Sequence, residues 1–214
     1  MKLYYFGRGF FKLVFRTLGG ITSVGEENIP ATGGVILAPN HLSYADPPLV
    51  GCGMRRQVHF MAKEELFKVP ILGAAISRVG SFPVRRGTAD RAALNKAIEL
   101  LEQGGVVCIF PEGTRSTDGM LQEPELGIGL VALKSRAPVV PVAVIGTDKV
   151  LGAHAKRPHR HPVSVFYGAP ISFPDLYEGR HGRDAVEEVG RLTMLAIGGL
   201  LKSVAGKCSA GHKS

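Results

Sequence analysis

The sequence predicts an α/β domain with a mixed, largely parallel sheet flanked by helices, preceded by an N-terminal amphipathic helix. From residue 33 onward, short apolar runs alternate with helical patterns, which is typical of strands and helices that alternate around a parallel sheet. Residues 1–18 differ from everything after them. The chain has 10 Phe and 5 Tyr residues, and six of these aromatic residues lie in this segment, which has no acidic residue. These two observations separate a first segment, residues 1–20, from a folded domain, residues 21–205.

The first segment has the pattern of an interfacial helix. Arg8, Lys12 and Arg16 recur every four residues, which gives one basic stripe on a helix. An apolar face is left to other residues, among them Phe6, Phe10, Leu13 and Val14. Such a helix lies in the headgroup region of an anionic membrane. The alternative is an amphipathic helix packed on the core, which seldom has an all-basic polar face.

The predicted elements of the folded domain follow in order. Helices are predicted at 89–103, with Thr88 as N-cap and Gly104 as the stop, and at 184–201. Pro141 lies inside an apolar run and indicates an edge strand or a bulge. Residues 206–214 are predicted to be a disordered tail. Strands are predicted at 35–38, 58–62, 81–84, 106–110 and 139–145.

Length and charge limit the functions that the chain can have. The 214 residues suit one compact domain with a full core, and the net charge of +8 favours an anionic partner: nucleic acid, an anionic lipid surface or a phosphorylated substrate. The three cysteines have no metal or redox spacing and are interpreted as free thiols. No run has the ~20 apolar residues of a transmembrane helix, and basic residues interrupt any signal-peptide core.

Polar segments follow directly after several predicted strands. They are Asn40-His41, Lys63, Arg85-Arg86 and residues 112–115. Ligands of open α/β sheets bind outside the carboxyl ends of the strands. Parallel strands therefore place these segments on one rim and predict a site there.

The first segment with chemistry is Asn40-His41-Leu42-Ser43-Tyr44-Ala45-Asp46-Pro47. Pro47 fits the first position of a helix and leaves Asp46 as its N-cap, so that His41 lies on the preceding loop and can turn back to Asp46. The alternative is a histidine that merely follows a strand, and an aspartate that is a plain helix cap.

The second segment is Phe110-Pro111-Glu112-Gly113-Thr114-Arg115-Ser116. Backbone N–H groups, hydroxyls and a guanidinium after a strand are the parts of a phosphate or oxyanion cradle. Glu112 repels phosphate, so it fits such a cradle only if it binds a hydroxyl or orients an arginine. The alternative is an ordinary turn with an Arg–Glu surface pair.

Together the segments resemble the 1-acylglycerol-3-phosphate acyltransferase family of glycerolipid acyltransferases. The resemblance covers about residues 20–150, and its four blocks follow in the family's order. Departures are Arg85, where the family often has Asp, and Glu123-Pro124-Glu125, where it often has a basic residue. The blocks are the His-x-x-x-x-Asp motif at 40–46, a second region at 62–67 and 80–87 with Arg86 at its arginine position, a third at 110–116 and a fourth at 139–142.

The resemblance implies an acyltransferase domain that moves a fatty acyl group from an acyl thioester to the sn-2 hydroxyl of 1-acylglycerol 3-phosphate. It implies no cofactor or metal beyond the co-substrate thioester, acyl-CoA or acyl carrier protein, and a place on the cytoplasmic face of the cell membrane. Asn40, Lys63 and Pro141 would serve the donor or the structure. The roles it implies are His41 as base, Asp46 as its partner, and Arg86, Glu112, Gly113, Thr114 and Arg115 for binding the acceptor.

Two alternatives stay open from the sequence. One is a relative that acylates glycerol 3-phosphate or another lysolipid. The other is a non-catalytic basic protein bound to membrane or nucleic acid, although a nucleic-acid binder should interleave aromatics with its basic patch.

Residues 154–161 hold three of seven histidines. Interleaved Lys and Arg favour a solvated basic loop over a metal site.

Overall fold

The computed structural model describes residues 2–85, 90–152, 155, 157–177 and 182–210. Its strands form one seven-stranded sheet, as the predicted fold class requires. The strands are β1 (Ile21–Val24), β2 (Val35–Pro39), β3 (Val58–Lys63), β4 (Phe82–Val84), β5 (Val106–Cys108), β6 (Val139–Ile145) and β7 (Val163–Tyr167).

Helices cover both faces of this sheet. A single 3-10 turn, Glu26–Asn28, follows β1. The α-helices are α1 (Lys2–Thr17), α2 (Asp46–Cys52), α3 (Glu64–Phe67), α4 (Leu72–Arg78), α5 (Arg91–Glu102), α6 (Leu126–Ser135), α7 (Thr147–Leu151), α8 (Pro174–Tyr177) and α9 (Arg183–Ala210).

The sheet has the order β1-β7-β6-β2-β5-β3-β4. All neighbouring strands are parallel except β6 and β7, so the prediction of a mixed, largely parallel sheet is confirmed. The five strands from β6 to β4 therefore end at one edge. Because β7 and β1 run the other way, they begin at that same edge.

The central strands are apolar at every position because both sheet faces are buried. In β2, Val35 and Leu37 belong to the core under α1 and α2, while Ile36 and Ala38 belong to the core under α5, α6 and α9. Val79, at the end of α4, packs on the first of these cores. The helices α1, α2 and α4 thus share one face of the sheet.

Helix α1 is amphipathic as predicted, but only part of its basic stripe is exposed to solvent. Tyr4 and Phe15 are buried in the core, which confirms packing on the domain for one side of the helix. The Arg8 guanidinium donates a hydrogen bond to the Met54 carbonyl, so this charge is held by the protein. Lys12 and Arg16 remain exposed.

The side of α1 away from the domain is apolar. Phe6 is 74% exposed, and Phe10 and Leu13 are also exposed. Together with Leu3 these residues recur at i, i+3, i+7 and i+10, which places them on one face of a helix. We call Leu3, Phe6, Phe10 and Leu13 the outer stripe. No helix in the described residues is long and apolar enough to cross a bilayer.

Pro141 does not lie on an edge strand, because β6 is flanked by β7 and β2. The pairing beside it is irregular, which is the other predicted possibility. Val142 pairs with Tyr167 and Val139 with Ile171, so the far strand has one extra residue here. The Pro141 carbonyl still accepts a hydrogen bond from the Gly168 N–H. Proline has no N–H to donate, and the irregular pairing of β6 with the chain around β7 tolerates such a residue.

Some predicted boundaries were wrong. Asp90 is the N-cap of α5, since its carboxylate accepts from the Ala93 N–H, while the predicted cap Thr88 lies outside the described residues. β5 ends at Cys108 rather than at residue 110. α9 continues past Leu201 to Ala210, because Val204 is still buried against the domain. Residues 206–210 of the predicted tail are therefore helical, and 211–214 lie outside the described residues.

Candidate active site

The topology brings two of the predicted segments together. β2 and β5 are neighbours in the sheet, and the residues after each strand leave from the same edge. The Ser116 N–H donates to the His41 carbonyl at 2.8 Å, so the two loops are joined directly. Lys63 ends β3 at the same edge, but it is exposed and forms an ion pair with Glu65 at 3.4 Å.

His41 and Asp46 form a buried pair. The His41 Nδ1 and the Asp46 Oδ2 are 2.7 Å apart, and both residues are almost fully buried. Since Nδ1 is engaged by the carboxylate, Nε2 is the ring nitrogen left for a substrate. The spacing of five residues produces this contact because residues 40–45 form a loop and not a helix.

Asp46 does not cap the helix as predicted. It is the first residue of α2, and the N-cap residue Ala45 makes no side-chain cap hydrogen bond. Instead the Asp46 Oδ2 accepts the N–H groups of Leu42 and Ser43 at 2.6 and 2.7 Å. The carboxylate therefore folds the loop around itself and presents His41 in a fixed direction, because three donors converge on one oxygen.

The His41 ring is fixed from a second side by Phe110. The two rings stack with centroids 4.0 Å apart and an interplanar angle of 28°. Phe110 follows β5, so the residue that supports the His41 ring comes from the neighbouring strand. Sequence reasoning included Phe110 in the third block but gave it no role, since nothing local indicates a stacking partner.

Glu112 is a positioning residue for the His41 backbone. Its Oε1 accepts the His41 N–H at 2.9 Å and its Oε2 accepts the Gln122 N–H at 3.0 Å. Burial raises the pKa of this carboxyl group, and the two N–H donors oppose that rise. Of the two roles predicted for Glu112, a contact with an arginine is not found among the described residues, where Arg115 stacks on Tyr44 and from which Arg86 is missing, and a contact with the glycerol stays a prediction.

Arg115 lies against Tyr44, on the loop that carries His41. Its Cζ is 3.7 Å from the centre of the Tyr44 ring, a cation–π contact. Its Nη1 is buried and has no hydrogen-bond partner among the described residues. A buried donor without a partner is costly, and an anionic oxygen would satisfy it. Tyr44 was not singled out by the sequence, because its partner is remote in the chain.

The turn before Arg115 depends on Gly113. Its φ of +64° is in the left-handed region, and a Cβ there would come within 2.7 Å of the Glu125 side chain. Thr114 follows and is exposed at the rim. The predicted binding residues Gly113, Thr114 and Arg115 thus lie together beside His41.

Asn40 has a structural role, one of the two predicted for it. Its side-chain amide donates to the Val144 carbonyl and accepts from the Val144 N–H at 3.0 and 2.7 Å. It continues the pairing of β2 with β6 by one more residue. This contact fixes the point where the chain leaves the sheet to form the His41 loop.

Several predicted features lie outside the site or outside the described residues. Arg86 and His154 are not among the described residues. His159 is exposed, and the described residues contain no cluster of three metal-ligating side chains. Burial raises the pKa of Cys52 to about 11 and that of Cys108 well above its usual value.

The arrangement is suited to general-base chemistry. His41 is held by a carboxylate, as in the Ser-His-Asp triad. Both buried cysteines are thiols, since burial raises their pKa, and the Ser43 hydroxyl donates to the Leu151 carbonyl. With the Ser43 hydroxyl engaged, His41 Nε2 is available to accept a proton from a bound molecule, and the Arg115 Nη1 is available to contact an anion.

Known proteins share this arrangement of sequence and fold. The family model described as Acyltransferase matches residues 20–145. A 1-acyl-sn-glycerol-3-phosphate acyltransferase of Bacillus subtilis is 32% identical over 145 residues, which are 67% of this chain and 72% of that protein. A chloroplast enzyme of the same name from Arabidopsis thaliana is 36% identical over 131 residues, 59% of this chain and 36% of the relative.

A solved structure agrees with these sequence matches. The crystal structure of the 1-acyl-sn-glycerophosphate (LPA) acyltransferase PlsC from Thermotoga maritima superposes with a TM-score of 0.72 at 30% identity. The superposition covers 89% of this chain and 78% of that chain. The fold and the order of the sequence blocks thus point to one family.

Proposed function

Since this chain belongs to the acyltransferase family, we propose that it transfers a fatty acyl group from an acyl thioester to the sn-2 hydroxyl of 1-acylglycerol 3-phosphate, giving phosphatidic acid. The observation that carries the proposal is the buried His41–Asp46 pair beside an arginine with an unpartnered donor. The acceptor would offer both groups that such a site needs, a hydroxyl for the base and a phosphate for the arginine.

In the proposed reaction His41 and Asp46 each have one role. His41 Nε2 accepts the proton of the sn-2 hydroxyl while the oxygen attacks the carbonyl carbon of the thioester. Asp46 stabilises the imidazolium that forms. The tetrahedral intermediate expels the thiolate by cleavage of the C–S bond, and the imidazolium returns its proton to the thiolate. No acyl group is attached to the protein in this sequence of steps.

An acyl-transfer assay with labelled acyl-CoA tests the substrate. We expect transfer to 1-acylglycerol 3-phosphate to exceed transfer to glycerol 3-phosphate and to a lysolipid without a phosphomonoester. A parallel assay with acyl carrier protein identifies the donor. A preference for either of the other two acceptors would contradict the proposed substrate, and no transfer to any acceptor would contradict the proposed reaction.

Arg115 gives a separate test of phosphate binding. We expect Arg115→Ala to raise the KM for 1-acylglycerol 3-phosphate by about 10- to 150-fold, because a hydrogen bond to a charged group is worth about 1.5–3 kcal/mol. Arg115→Lys should restore little, since lysine offers neither the planar stack on Tyr44 nor a bidentate contact. Steady-state kinetics over a range of acceptor concentrations measures the effect.

The matched control for this substitution is Arg136→Ala, since Arg136 is an exposed arginine that also lies over an aromatic ring, that of Tyr177, and precedes β6 at the edge of the sheet away from the site. Its KM should equal that of the wild type. A wild-type KM in Arg115→Ala would show that Arg115 does not bind the phosphate. Arg86→Ala is predicted from the sequence to act like Arg115→Ala.

The outer stripe of α1 fits attachment to a membrane surface, where the proposed acceptor is found. Four apolar side chains on one face of a surface helix are unusual unless the face has a partner. Ile21, the first residue of β1, lies at the edge of the sheet where the parallel strands end. The helix that precedes it therefore ends at the edge of the sheet that carries the candidate active site.

Substituting the outer stripe tests this attachment. We expect Phe6→Ser/Phe10→Ser to lower binding to anionic vesicles at least tenfold, because each buried aromatic ring contributes about 1.5–3 kcal/mol. The substitution is preferable to deleting α1, since Tyr4 and Phe15 belong to the core. Vesicle co-sedimentation and thermal unfolding are measured together.

Leu195→Ser is the control for this double substitution. Leu195 is an exposed leucine of α9, on the opposite face of the sheet. It should bind vesicles as the wild type does. Unchanged binding of the Phe6/Phe10 variant at unchanged Tm would refute the attachment through α1.

A further inference from the structure

A strained turn after β3 and α3 exposes an isoleucine. Ile71 has φ +67° and ψ −54°, and the Leu72 N–H donates to the Pro70 carbonyl at 2.7 Å across it. This is the γ-turn with a positive central φ, which is rare and strained. For a β-branched residue such a φ is a true outlier.

The same residue is 87% exposed, and its neighbours Val69 and Leu72 are also exposed. We call residues 69–72, Val-Pro-Ile-Leu, the apolar turn. Both features are unfavourable in water, because the turn stores backbone strain and presents three large apolar side chains to solvent. Such a turn is consistent with a function at its tip.

The position of the apolar turn is defined by the strands on each side. It follows Lys63, the last residue of β3, by a few residues, so it lies toward the edge where the candidate site is found. After it α4 returns to the opposite edge, where Gln57 donates to the Val79 carbonyl beside the beginning of β3. α4 shares the face of the sheet with α1, since Val79, Tyr4 and Phe15 pack on one core.

We propose that the apolar turn inserts into the lipid bilayer as a second contact, separate from α1. The inference rests on the proposed function only in that a lipid acceptor explains why the candidate site faces a bilayer. Ile71 and Leu72 supply apolar side chains, and two contacts on one face fix an orientation that a single helix leaves free to rotate.

The charges beside the turn favour the acyl-chain region over the headgroups as its partner. Lys68 is paired with Glu64 at 3.0 Å and Lys63 with Glu65 at 3.4 Å, so the nearby lysines are largely neutralised. The contribution of the turn to binding should therefore change little with salt, whereas attraction to anionic headgroups is screened. Phosphatidylcholine vesicles carry no net charge, so binding to them measures the contribution of the apolar side chains without attraction between charges.

The experiment uses the full chain with Ile71→Gly and Ile71→Leu. Ile71→Gly removes the apolar tip and suits the positive φ, so we expect about tenfold weaker binding to phosphatidylcholine vesicles at a Tm equal to the wild type or up to about 4 °C higher. Ile71→Leu keeps the tip and should bind as the wild type does. If Ile71 only supported the fold, its replacement by glycine would lower the Tm. Weaker vesicle binding at an equal or higher Tm therefore indicates a direct contact with the bilayer.

Two further measurements separate the outcomes. Leu195→Gly, on the opposite face, should leave vesicle binding unchanged, and turnover of Ile71→Gly on a short-chain, monomeric acceptor should equal that of the wild type. The proposal is overturned by wild-type vesicle binding in Ile71→Gly, or by an equal loss of binding in Leu195→Gly. It is also overturned if Ile71→Gly only converts a dimer to a monomer in sedimentation velocity. If wild-type protein binds vesicles through Ile71 but acylates no acceptor, the proposed function fails and the contact stands.

Discussion

Replacing His41 with alanine is expected to lower the rate of acyl transfer by at least about 10²–10⁴-fold, the usual contribution of a general base. The His41 ring, whose Nδ1 lies 2.7 Å from Asp46 and whose face stacks on Phe110, is the base of the proposed reaction. The loss should appear in kcat, because in the proposed reaction the imidazole acts on the reacting atoms while the binding of the acceptor is assigned to Arg115. Single-turnover and steady-state assays measure it.

His59→Ala is the matched control. His59 is a part-buried histidine on β3 whose Nδ1 lies 2.8 Å from the Gly80 carbonyl, so its removal also deletes one side-chain contact. It should keep wild-type turnover. If His41→Ala retained activity within about tenfold of the wild type at an unchanged Tm, His41 would not be the base.

The second large effect is expected for Asp46→Asn. Asparagine can still accept the Leu42 and Ser43 N–H groups through its oxygen, but it cannot stabilise an imidazolium at Nδ1 as a carboxylate does. We expect kcat to fall by about 10²–10⁴-fold. The free energy of unfolding should fall by about 1–2 kcal/mol, because charge-assisted hydrogen bonds become neutral ones.

A second turn carboxylate provides the control for Asp46→Asn. Asp118 accepts the Met120 N–H and the Ser116 hydroxyl, each at 2.9 Å, without touching His41. Asp118→Asn should change stability slightly and kcat hardly at all. If Asp46→Asn lowered only stability while kcat per folded molecule stayed at the wild-type value, Asp46 would be merely a loop anchor.

The fold class could be predicted because the periodicity of apolar residues is local. The central strands β2 and β6 are buried on both faces, so their apolar runs are continuous and easily identified. β1 was missed, since its alternately exposed residues Ile21–Val24 are polar at half of their positions. β7 was also missed, although its residues Val163–Tyr167 are β-branched or aromatic at four of five positions and so carry a local strand pattern.

The candidate site was predictable only in part, for a related reason. The spacing of His41 and Asp46 indicated a pair, and parallel strand order placed residues 112–115 on the same rim. The contacts of Asp46 with the loop N–H groups, and of Glu112 with the His41 N–H, depend on the path of the backbone. Sequence patterns give the residue types near a strand end but not the direction in which each side chain points.

The sequence by itself determined the α/β class, the order of the four motif blocks, the His–Asp pair and the amphipathic first helix, because each is encoded in residues close together in the chain. The tertiary structure alone decided which face of α1 is covered, that Tyr44 holds Arg115, that Phe110 supports His41 and that Ile71 stands exposed on a strained turn. Each of these depends on packing between segments distant in sequence or on a backbone angle. A periodic pattern records neither of them.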